Sequence, residues 1–259
     1  MEVGIPGRVR AEREVIICAG AYHSPHLLLL SGLGPAAELR ALGIEPRIEL
    51  PVGHNLHDHP FVALVRLTDH ESLRSAAMRP ENVALFEREG RGPLTSGFSE
   101  GGAFIRTRPG VDAPDIQFTF TGGAIANETP DPSILDDGSA FTPTLLKPSS
   151  RGRVTLRSRI PHVKPRILHN YLTTTDDDRR SMIDGTRVGL EIASRRVLRK
   201  LRRGDFAVPK SDSDADILEF VRRAGRTTFH PVERARWARS STPNCASSAS
   251  RTCASRTPP

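Results

Sequence analysis

Apolar positions fall in short runs along the chain, and their spacing predicts a strand and helices first, then mostly strands. Residues 14 to 18, Glu-Val-Ile-Ile-Cys, read as a short buried strand, and Ala19-Gly20-Ala21 behind it permits close approach of backbone to another group. Ser24 and Pro25 sit where an N-cap and an N1 proline open a helix, with Leu27 to Leu30 as its apolar body and Gly32 and Gly34 as its stop. Pro35 to Gly43 repeats that grammar with Leu39 and Leu42 directed inward, and Ile44 to Leu50 reads as a strand. After the turn-rich stretch from Pro51 to Pro60 the texture becomes β. Short apolar or alternating runs at Phe61 to Leu67, Gly102 to Arg106, Ile116 to Phe120, Thr142 to Leu146 and Arg153 to Arg157 predict a mostly antiparallel sheet.

Asp176 to Arg203 shows helical spacing, with a broad stripe from Met182 through Leu201 and three aspartates at its dipole-favoured start. A second helix is predicted from about Ser213 to Arg223. Beyond Val232 the pattern stops: residues 233 to 259 contain no Ile, Leu, Val, Met or Phe and read as disordered, because they have nothing to bury against the entropy of ordering.

Composition narrows the function classes. At 259 residues, 37% apolar and 26% charged, the chain can bury a core. No apolar run is long enough to span a membrane and the first residues lack a signal-peptide core, so a cytoplasmic protein is expected. Three cysteines fit neither a disulfide framework nor a zinc spacing. The net charge of +7 points toward a nucleic-acid partner, but five arginines and one glutamate after Val232 supply +4 of it. The remaining body is nearly balanced, and no nucleic-acid partner is expected. His54, His57, Asp58 and His59, with His23 and His26 upstream, are the one grouping of metal-ligand types; it leaves open a metal-dependent hydrolase, although turn histidines this close rarely share one tetrahedral face. The basic tail leaves open an interaction module. No metal is expected in the preferred reading.

Residues 20 to 34, GAYHSPHLLLLSGLG, resemble the second signature of the glucose-methanol-choline (GMC) oxidoreductases, flavoenzymes that oxidise alcohols. The resemblance continues through Val52-Gly53-His54-Asn55-Leu56-His57-Asp58-His59-Pro60, similar to V-G-x-N-L-x-D-H-P. Farther on, Ser150-Arg151-Gly152 with Val154 and Leu156, Pro165-Arg166-Ile167 with Asn170-Tyr171-Leu172, and Phe229-His230-Pro231-Val232 look like later motifs of that family. This similarity implies an α+β chain: a partial FAD-binding domain over residues 1 to 60, then an antiparallel-sheet substrate domain with helices over 61 to 232. It implies that Ala19, Gly20, Ala21 and Ser24 lie near FAD, that Asn55 and His59 line the flavin side of the active site, and that Glu100 faces substrate. His230 would take the proton of a small alcohol, choline-like in the nearest case, while hydride passes to the flavin; the electron acceptor is left open.

Two departures from the family pattern carry expectations of their own. The glycine-rich G-x-G-x-x-G loop that seats a dinucleotide pyrophosphate is absent, which implies a domain truncated on its N-terminal side and a chain inactive alone. After Val232 the family's G-T-C-x-M-G is also absent. Yet codons for residues 243 to 259, read one base earlier, permit ELRVFGVEDLRVADAS, close to the family's ending, so residues 233 to 259 are expected to be out of frame. A sheared domain would leave apolar surface open around Val15 to Ile17 and Leu27 to Leu30.

Overall fold

A computed structural model describes residues 10–124 and 137–232. The expected out-of-frame tail therefore lies outside the described residues. The chain divides into two compact units, one holding residues up to Leu56 together with Gly152–Leu168, the other His57–Arg151 with His169–Pro231. The first unit thus takes back a later segment that a single boundary near residue 60 leaves with the second. Strand pairing is the reason.

In the first unit, helix α1 (Gly20–Leu30) is followed by α2 (Ala36–Ala41) and strand β1 (His54–Leu56). Strand β1 pairs antiparallel with β7 (Gly152–Thr155), which pairs with β8 (Arg166–Leu168). The pairing needs Gly53: its φ is +83°, and a Cβ there would lie 2.1 Å from the Val154 carbonyl oxygen. Leu29, Leu39 and Val52 form the buried centre of this unit, with Leu28, Ile44, Leu50 and Leu156 packed around them.

Four expectations are corrected here and in the second unit. Residues 14 to 18 form no strand; they are exposed and irregular, since a strand needs a neighbour to pair with and none flanks them among the described residues. Helix α1 starts at Gly20 rather than at Ser24, so Pro25 lies inside it, and Ser24 Oγ accepts the Ala19 N–H at 3.1 Å instead of capping the next turn. Ile44 to Leu50 contributes only an isolated bridge, Leu33 to Ile48. The long helix ends at Ser194, nine residues before Arg203. The apolar surface expected at Val15, Ile16, Ile17 and Leu27 is exposed, whereas Leu29 is buried.

The second unit is built on a seven-stranded antiparallel sheet. Its first part comprises β2 (Pro60–Phe61), β3 (Leu64–Thr68), helices α3 (Leu73–Ala77) and α4 (Pro80–Glu89), β4 (Ser99–Ile105), β5 (Ile116–Thr121) and β6 (Gly138–Leu145). Helices α5 (Asp176–Ser194) and α6 (Arg196–Arg199), β9 (Arg202–Ala207), α7 (Asp214–Ala224) and β10 (Arg226–Thr227) follow. Central β6 pairs with β5 and with β2 and β3; β4 extends the sheet beyond β5, β9 beyond β3 and β10 beyond β2. Helices α5 and α7 bury Met182, Ile183, Ile217, Phe220 and Val221 in one core with Leu64, Ile116, Phe118 and Phe141 of the sheet. Close approach depends on small residues. A Cβ at Gly185 would meet Ile116 at 2.9 Å, and one at Gly189 would meet Leu64 at 2.7 Å. Among the described residues no helix is long and apolar enough to cross a membrane.

Candidate active site

The loop between β1 and β2 carries Asp58 and His59, and β10 leads into His230. Pro60 can open β2 because the first residue of a strand need not donate to a ladder. Antiparallel pairing of Pro60 with Thr227 and Phe61 with Arg226, continued by the Thr228 N–H on the His59 carbonyl at 3.1 Å, brings the two segments side by side. Thr227 Oγ then accepts the Phe229 N–H at 2.8 Å, and Phe229 takes a φ of +60°. That left-handed conformation is costly for a bulky side chain, and it turns the chain just before His230. Pro231 restricts His230 to extended backbone.

The two imidazoles meet edge to face, ring centroids 6.2 Å apart and planes at 89°. His59 Nδ1 lies 2.9 Å from the Leu145 carbonyl oxygen. A carbonyl only accepts, so Nδ1 carries the proton and the lone pair of neutral His59 is on Nε2. His230 is exposed. Beneath both histidines lies Asp58, whose side chain is wholly buried. Its Oδ1 accepts the His59 N–H at 2.8 Å and the His230 N–H at 3.2 Å, with the Thr228 hydroxyl at 3.4 Å. Its Oδ2 accepts the Thr227 hydroxyl. His169 Nε2 stands 3.5 Å from the same oxygen and its ring stacks on Tyr171 with centroids 4.8 Å apart. Burial lowers the His169 pKa below the usual imidazole value, and the Asp58 charge opposes that shift without cancelling it.

Of the residues singled out in the sequence, His59 and His230 are brought together. Ala19, Gly20, Ala21 and Ser24 gather at the first turn of α1 in the other unit, where among the described residues no side chain caps the helix. Gly20 has φ +75° and open space where a Cβ would stand. Asn55 belongs to the same unit, half-buried in β1 with φ +72°. Glu100 is exposed on β4. The histidine-rich turn does not assemble as a metal site: among the described residues no group of three or more His, Cys, Asp or Glu is placed to hold a metal. Sequence reasoning overlooked the roles of Asp58, Thr227, Thr228 and His169. The first lies inside V-G-x-N-L-x-D-H-P, the threonines directly precede Phe229-His230-Pro231-Val232, and His169 directly precedes Asn170-Tyr171-Leu172, which was the available signal.

Comparison with known proteins matches two family models, both described as GMC oxidoreductase, to residues 2–61 and 148–253. The second match continues past Val232. An uncharacterised GMC-type oxidoreductase of Mycobacterium tuberculosis is 38% identical over 229 residues, covering 86% of this chain and 43% of the relative. The oxygen-dependent choline dehydrogenase of Staphylococcus saprophyticus is 34% identical over 232 residues, covering 85% and 40%. Among solved structures, a formate oxidase of Aspergillus oryzae superimposes with a TM-score of 0.77 at 27% identity, covering 87% of this chain and 45% of that one. The chain spans about two-fifths of the length of the curated relatives it matches. The signature around α1, the histidine pair and these matches lead to one conclusion: the chain belongs to the GMC oxidoreductase family.

Proposed function

We propose that this chain is the C-terminal part of an FAD-dependent oxidoreductase acting on the CH–OH group of a small, choline-like alcohol, and that His230 is the proton acceptor. The observation that carries this reading is the perpendicular pair of His59 and His230, one tautomer set by the Leu145 carbonyl and the other ring exposed where a substrate hydroxyl could reach it. Similarity to a choline dehydrogenase and to a formate oxidase solved with attention to its FAD supports the cofactor and substrate class.

The first turn of α1 fits an anionic group: among the described residues no side chain caps this helix end, and the space at Gly20 is open. Ala19, Gly20, Ala21 and Ser24 would hold FAD there, with Asn55 and His59 on the flavin side. When bound, FAD supplies the acceptor for the hydride that leaves the carbinol carbon. His230 accepts the hydroxyl proton as the carbon–hydrogen bond breaks, work suited to an imidazole because its ordinary titration range is near neutrality. His59, its Nδ1–H held by the Leu145 carbonyl, lines the site edge to face with His230. Glu100 would face substrate from β4. The electron acceptor is unassigned.

Turnover tests this reading on two proteins: the 259-residue chain, and the protein encoded by its locus with the upstream frame and the frame after Val232 restored from genomic DNA. The chain alone is expected to reduce no redox dye with choline or primary alcohols, whereas the restored protein does so with bound FAD. His230→Ala in the restored protein should lower kcat by about 10²–10⁴-fold. Full turnover in that variant removes His230 as the base. DNA lacking the family ending in the neighbouring frame removes the frameshift.

A further inference from the structure

We propose that Asp58 is the positioning residue of this histidine pair, a buried acceptor that holds His230 against His59. The inference rests on the reading of His230 as base, but its geometry stands apart from it. Two segments far apart in sequence reach the pair, and one carboxylate oxygen accepts a backbone N–H from each: His59 at 2.8 Å and His230 at 3.2 Å. The second oxygen takes the Thr227 hydroxyl, and that same hydroxyl oxygen accepts the Phe229 N–H, so the turn into His230 hangs from Asp58 by two independent ties.

Strand pairing between β2 and β10 ends at Thr227, and the Thr228 contacts with His59 reach only the residue before the strained Phe229. Phe229 is 80% exposed and Val232 61%, so neither anchors the segment by packing, and beyond His230 the described backbone tie is a β-bridge at Val232. Paired as a strand on one flank and little packed on the other, the turn is held by polar contacts, and an ionised carboxylate accepts a backbone N–H more strongly than a neutral oxygen does. Oδ2 also faces His169, whose Nε2 stands 3.5 Å away. His230 is thereby fixed through its backbone while its ring stays exposed, which is the arrangement a group that must touch a substrate requires.

Ring and backbone resonances of 15N-labelled histidine in the full chain test this directly. Asp58→Ala is expected to shift the ring signals of His59 and His230 and to speed exchange of the His230 N–H by about tenfold, leaving His23, His26 and His54 in place. Asp58→Asn keeps an oxygen at the Oδ1 position and is expected to retain the wild-type spectrum. Unmoved His59 and His230 signals in a folded Asp58→Ala chain overturn the proposal, as does an Asn variant that behaves like Ala. Should Asp58→Ala fail to fold, Thr227→Val decides: it keeps the branched shape, removes the hydroxyl tie, and must still move His230. The spectra report position and not turnover. Failure of His230 as base leaves them as described, while failure of Asp58 as anchor leaves the turnover loss of His230→Ala intact.

Discussion

His169 shows how a single side chain can record its surroundings. Its imidazole is four-fifths buried beside Asp58 and against Tyr171, and burial depresses its pKa despite the nearby carboxylate. A folded-state value below the unfolded one means that the unfolded chain binds the extra proton first. Stability contributed by the neutral ring is therefore present above the ordinary imidazole pKa of about 6.5 and is lost as pH falls from there through the folded value. His26 is shifted the same way, by burial and by His23, and adds to the same window. Urea midpoints between about pH 7.5 and 5.5 should fall less for His169→Gln than for wild type. Equal slopes would show that His169 does not titrate against folding.

Where elements meet, carboxylates do the joining. Asp178 in the first turn of α5 accepts the N–H groups of Ser149 and Ser150 at 2.8 and 2.9 Å and the Ser150 hydroxyl at 2.6 Å. This gives the Ser150-Arg151-Gly152 motif a structural reason. Asp115, leading into β5, receives Thr107 through backbone and hydroxyl and Ser181 of α5 at 2.7 Å. Burial by itself would raise the Asp115 pKa, but these donors outweigh it and hold the carboxyl below its usual range. Ser181→Ala should cost about 1.5–3 kcal/mol near neutral pH, as read by denaturant unfolding. Because a depressed carboxyl stabilises only while ionised, the gap from wild type should narrow as pH falls below about 4. A gap that is constant down to strong acid would contradict the ionised Asp115–Ser181 tie. Helix α5 itself was legible from its stripe. Its end was not, because Leu201-Arg202-Arg203 continues helical spacing while β9 exists only through pairing with β3.

Across the whole chain, exposed and buried apolar residues of α1 and the segment before it have opposite expected consequences. Ile16 is 75% exposed and Leu29 2%. Ile16→Asp should change the stability of this chain by no more than about 0.5 kcal/mol, whereas Leu29→Ala should cost about 2–5 kcal/mol by leaving a cavity among Leu39 and Val52. A strongly destabilising Ile16→Asp would mean that the segment packs after all. The run Glu-Val-Ile-Ile-Cys reads as a strand because composition reports what a segment can bury, and it is irregular because pairing depends on a neighbour that composition does not supply.

By itself, the sequence determined features written locally: the period of α5, the alternation of β3, β5 and β6, and the family motifs around His59 and His230. Local chemistry suffices for these because backbone conformation and one-sided burial act over a few residues. Only the tertiary structure decided that α1 begins at Gly20, that residues 152–168 return to the first unit, and that Asp58 gathers Thr227, Thr228, His169 and His230 around one carboxylate. Those partners lie more than a hundred residues beyond Asp58. A buried acceptor takes whichever donors the fold carries to it, and no local spacing encodes that choice.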